Sequence, residues 1–91
     1  MVEFRTDRAR HAYEEMKATA DRCKAEVIEE VQHAMNEGAD FAVILQTTLS
    51  NSNAHAQNMA LALETAMRID RDEYAFECAI HDAYKGGNES H

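Results

Sequence analysis

From Thr6 to Glu37 an apolar residue returns every three or four positions with no helix breaker between, and this unbroken stripe constrains the fold more than any other feature. The stripe consists of Ala9, Tyr13, Met16, Ala20, Cys23, Val27, Val31 and Ala34, at spacings of 4, 3, 4, 3, 4, 4 and 3. Charged residues such as Glu15, Lys17, Asp21, Arg22, Lys24, Glu26 and Glu29 fill the other faces. Thr6 or Asp7 can cap the start, and Gly38 stands where a left-handed C-terminal cap is expected. The pattern therefore predicts one helix over about 6–37.

Its length matters. About 32 residues rising 1.5 Å each make a rod of roughly 48 Å, whereas a compact chain of this size has a radius of gyration of about 12 Å. Either the helix breaks, or a partner helix of similar length covers its stripe. That helix can come from later in the chain, from a second copy or from another protein. The second outcome is favoured.

The remainder also reads as helix. Proline is absent, glycine occurs three times, and alanine, glutamate and methionine are plentiful. Asp40 can cap a short helix over about 40–49, along which Phe41, Ile44, Leu45, Thr48 and Leu49 follow helical spacing. The same run, with Val43, Ile44 and two threonines, also permits a strand, but no pairing strand is visible elsewhere. Ser50, Asn51, Ser52 and Asn53 mark the main bend. Beyond it, Ala56, Met59, Ala60, Leu63 and Met67 form a further helical face. Asp70 followed by Glu73 resembles a capping box, so a new helix can begin there; otherwise one helix spans about 53–85 and matches the first in length. Gly86 and Gly87 are expected to end it, leaving a disordered tail over 86–91. The fold class is all-α, a long helical hairpin or a small three- or four-helix bundle in a single domain over 1–91, completed by dimerisation.

Composition narrows the function. At 45 % apolar and 29 % charged residues the chain should fold rather than remain disordered. It has no apolar run long enough to span a bilayer and begins with Glu3, Arg5, Asp7 and Arg8, so a cytoplasmic protein without a membrane role is expected. Cys23 and Cys78 fall at helical apolar positions and read as reduced core thiols. The net charge of −8 is unevenly spread: residues 1–24 hold six basic and five acidic side chains, but no Lys or Arg stands between Lys24 and Arg68. Phosphate binding needs clustered cations, so direct contact with nucleic acid is not expected.

No constellation specifies a chemistry. Glu30 and His33 have the Glu-x-x-His spacing of di-iron bundles, but Glu77 and His81 are four apart, so the match is partial. Cys78 and His81 supply at most half of a zinc site, and Glu77 and Asp82 oppose thiolate formation at Cys78. No phosphate loop, serine elbow or His-Glu-x-x-His is present, so no enzymatic activity, catalytic residue, metal or cofactor is assigned. The most unusual segment is 41–63, which holds 23 residues without a formal charge. Such a surface is desolvated at low cost. It is either a partner-binding face, with Phe41, Ile44, Leu45, Leu49 and Met59 as contacts, or the buried middle of a bundle.

Three functions follow as expectations. The first is a non-catalytic adaptor or regulator that binds another protein, acting as a homodimer. The second is an acidic inhibitor in the basic groove of a nucleic-acid-binding enzyme or complex. The third is a metal-binding bundle using Glu30, His33, Glu77 and His81.

Overall fold

The computed structural model describes residues 3–89, with side chains from 3 to 85. Two helices account for nearly all of it: α1, Asp7–Asn36, and α2, Phe41–Glu89. They form an antiparallel hairpin measuring 79 × 16 × 15 Å, with a radius of gyration of 21.3 Å. A compact chain of this length would have about 12 Å. The all-α expectation is met as an extended hairpin.

Local chemistry sets the ends of α1. Thr6 is extended (φ −118°, ψ 147°), and its hydroxyl accepts the Ala9 N–H, one of the donors a helix start leaves unsatisfied. At the other end Gly38 adopts φ +84°, a conformation that side chains disfavour. With it, the Ala39 N–H reaches the Ala34 carbonyl at 3.0 Å and the Gly38 N–H reaches Met35 at 3.1 Å, a complete Schellman closure. Two residues later the Asp40 carboxylate accepts the Ala42 N–H and opens α2.

α2 corrects three expected boundaries. The helices expected over 40–49 and 53–85 are one element, so there is neither a strand over Phe41–Leu49 nor a bend at Ser50–Asn53. Serine and asparagine cost a helix only a few tenths of a kcal/mol each and, unlike proline, keep the hydrogen-bond ladder intact. Asn51 also has a tertiary use, since its amide donates to the Lys24 carbonyl at 3.1 Å. Asp70 starts no fourth helix. The two glycines do not end α2 at residue 85, because helix continues through Glu89; that part of the expected tail is ordered helix, and residues 90–91 lie outside the described residues.

The overlong α1 stripe is covered from within the chain. Three polar contacts give the register: Lys24 with Asn51, Asp21 with His55 at 2.7 Å, and Thr6 with Asp70. The side chains buried along this seam are small, namely Ala9, Ala20, Ala62 and Ala66, and no large side chain is fully buried among the described residues. Cys23, expected in the core, is exposed, while Lys24 is half-buried beside the seam; Cys78 is also only half-buried.

Asp70 fastens the open end. Its Oδ1 accepts the backbone N–H of Arg5 and of Thr6, both at 2.8 Å, and the Thr6 hydroxyl at 3.0 Å, while the Arg5 guanidinium reaches Oδ2 at 3.1 Å. Loss of water pushes this carboxyl up, but the donors from Thr6 and Arg5 together outweigh that and hold it below the usual carboxylate range.

Two outcomes follow. Gly38→Ala leaves space for the new Cβ but strains its positive φ, so the chain should lose about 1 kcal/mol, read as a fall of several degrees in melting temperature. Asp70→Ala should free residues 3–6, seen as loss of hydrogen-exchange protection at the Arg5 and Thr6 amides. In the wild type the folded carboxyl titrates below its ordinary 3.8, so the clamp is fully present above about pH 4 and is lost as pH falls through the lowered value. The Arg5 and Thr6 amide signals should therefore titrate with a midpoint below 3.8.

Candidate interaction surface

Because the helices are antiparallel, a step of one residue past the seam turns both toward the same side of the hairpin. On α1 these steps lead from Val27 to Ile28 and from Ala34 to Met35. On α2 the same side holds Leu45, Leu49, Ser52, Ala56, Ala60, Leu63 and Met67. Ile28, Met35, Leu45, Leu49 and Met67 are exposed, Leu49 by 57 %. Ser52, Ala56 and Ala60 are exposed too, and Leu63 is half-buried. Every residue of α2 from Phe41 to Leu63 lacks a formal charge, so this side presents a long neutral strip.

The structure divides the five expected contact residues. Phe41, 74 % exposed, lies at the turn, and Leu45 and Leu49 open onto the lateral strip. Ile44 and Met59 are half-buried and point toward α1; they belong to the seam. The expectation missed Ile28, Met35 and Met67. Their signal was available: Ile28 and Met35 fall one position off the α1 stripe, where a helix with a single buried face would carry a polar residue, and Met67 already shared a helical face with Ala56, Ala60 and Leu63.

At the open end the strip runs into a groove of about 670 Å³ lined by Phe4, Arg5, Ala60, Leu63, Met67 and Arg71, among others. The Phe4 ring packs on Tyr13 with centroids 5.6 Å apart, and the Arg5 guanidinium stacks 4.1 Å above the Tyr74 ring. The segment ahead of α1 thus forms one wall. On the opposite side of the hairpin, Met16, Thr19, Cys23 and Leu61 line a shallower recess.

Beyond Asp70, α2 outruns α1. About 19 further residues extend past the start of α1, and Phe76, Ile80 and Tyr84 continue the phase of the seam, all exposed. Cross-helix polar links elsewhere are few. The pair of His55 and Asp21 holds the Asp21 carboxyl below its ordinary value, chiefly through the imidazole hydrogen bond, with Lys17 assisting against partial burial.

The proposed metal quartet is not assembled within one chain. Glu30 and His33 lie near the turn and Glu77 and His81 on the overhang, at opposite ends of the rod. Among the described residues no group of three or more His, Cys, Asp or Glu is placed to hold an ion, and none of the helices is long and apolar enough to cross a membrane. Compared with known proteins, the chain matches no family model, no curated protein and no solved structure.

The exposure of Cys23 yields a direct check. Its thiol should react with a maleimide at a rate close to that of an unstructured cysteine, and strong protection would show that the recess beside it is covered.

Proposed function

We propose that this protein is a non-catalytic helical interaction module, an adaptor or regulator whose lateral face is completed by another protein chain. One observation carries the reading: among the described residues twelve large apolar side chains are exposed, while the buried apolar ones are four alanines. The accessible surface is 7149 Å², against about 5,400 Å² for a compact monomer of this mass. A buried methyl contributes about 0.8 kcal/mol and a buried Leu or Phe about 1.5–3 kcal/mol, so the hairpin leaves its largest source of stability unused until something covers it. Contiguous apolar surface of this kind marks interaction sites in folded proteins.

Charge favours a second reading. All nine Lys and Arg lie outside 25–67, and the turn end carries Glu26, Glu29, Glu30, Glu37 and Asp40 with no cation beside them. An acidic inhibitor would present this end to a basic groove.

Both readings are tested by a photo-reactive residue in place of Leu49, with Glu29 and Glu15 as comparison sites, irradiated in the source cell. The interaction module gives a protein adduct from position 49 that survives raised salt. The acidic inhibitor gives an adduct from position 29 that fades with salt. No adduct at any position overturns both.

A further inference from the structure

The lateral strip of α2 has an internal symmetry. Leu45, Leu49, Ser52, Ala56, Ala60, Leu63 and Met67 are separated by 4, 3, 4, 4, 3 and 4 residues, a spacing that reads the same in both directions about Ala56. Side-chain size follows the same order: two large residues, three small ones, two large ones. In a two-fold interface residue i meets j and j meets i, so a face with small residues at its centre and large ones on both sides can be matched by its own copy.

From this we infer that the chain covering the strip is a second copy of this protein, docked antiparallel with Ala56 at the two-fold axis. The inference rests on the interaction-module reading and names its partner. In this register Ala56 meets the partner's Ala56, Ser52 meets the partner's Ala60, Leu49 meets the partner's Leu63, and Leu45 meets the partner's Met67. The small central residues let the two α2 helices approach closely, and the large ones interdigitate on either side. Phe41, the most exposed of the large apolar residues, arrives at the level of the partner's Arg71, at the mouth of the groove walled by Phe4, Leu63 and Met67. The open groove and the protruding ring thus occupy complementary positions on one surface.

Charge selects the antiparallel direction. The turn end holds Glu26, Glu29, Glu30, Glu37 and Asp40 with no Lys or Arg, whereas at the open end Arg5, Arg8, Arg10, Arg68 and Arg71 each pair with a carboxylate of their own chain, so charge there is balanced locally. Parallel docking would bring two uncompensated acidic ends together, whereas antiparallel docking sets each against an end whose carboxylates are offset by Arg. The area is adequate as well. The part of the hairpin from Phe41 to Arg71 is roughly 46 Å long by the helical rise, and the rod is 16 Å wide. This amounts to a footprint of about 700 Å² per copy, close to the 800 Å² per partner of a stable interface.

The test uses the purified full chain. Light scattering at tens of micromolar should give twice the 10.3 kDa chain mass. Ala56→Glu, on an exposed helical position, should weaken the dimer by ~100-fold or more by placing two carboxylates at the axis. Ala54→Glu, on the other side of α2, should leave it intact. With Cys23→Ser and Cys78→Ser as background, Ala56→Cys should form an inter-chain disulfide on oxidation by copper-phenanthroline and oxygen, and Ala54→Cys should not. A monomer at these concentrations overturns the proposal, as does a dimer that survives Ala56→Glu or fails to link at position 56. Each of those results leaves the interaction module standing if position 49 still captures a different protein in the cell, whereas absence of any adduct there removes both.

Discussion

The contact on which the whole structure depends is an alanine seam. Ala9 and Ala20 on one helix and Ala62 and Ala66 on the other have side chains short enough for the two backbones to approach closely. Close approach has a geometric cost, because where the alanines meet it leaves no room between the helices for leucine or phenylalanine. Those residues flank the seam instead, and a hairpin with only two helices has nothing to lay over its flanks. The exposed lateral strip is thus a direct result of how the core is built.

Polar contacts then determine which alignment of the seam is adopted. Alanine against alanine discriminates poorly between registers, since shifting one helix by a turn exchanges like for like. Asn51 on the Lys24 carbonyl, His55 on Asp21, and Asp70 on the amides of Arg5 and Thr6 have no such degeneracy. Each joins residues at least 27 positions apart, and each would lose its partner on a one-turn slip. Buried or half-buried polar groups in this hairpin serve alignment, as single polar residues do in coiled coils.

Much of α1 could be read directly from its residues, since periodicity, a Thr6 cap and a Gly38 closure are local signals that local hydrogen bonds satisfy. The continuity of α2 was harder to see for a physical reason. Ser50 to Asn53 and the Asp70/Glu73 pair carry strong local signatures of caps and bends, yet Asn51 and Asp70 spend those hydrogen-bonding groups on residues 27 and 64–65 positions away. A local reading sees the polar group and cannot see its distant partner. Cys23 shows the same limit on a finer scale. Its spacing fits the stripe, but the register rotates Lys24 toward the seam and leaves the thiol in water. Of the expected contact residues, Phe41, Leu45 and Leu49 were recognisable as an uncharged helical run, whereas separating them from Ile44 and Met59 required the phase of α2 against α1.

The unequal lengths of the two helices give the rod ends of different character. At the turn, Gly38 and the Schellman bonds close α1 and reverse the chain into α2. At the far end, α2 runs on for about 15 residues beyond the stack of Arg5 on Tyr74, near the length at which an isolated helix in water is only marginally formed. The molecule is accordingly a lever with one braced end and one unbraced, and Phe76, Ile80 and Tyr84 ride on the unbraced arm.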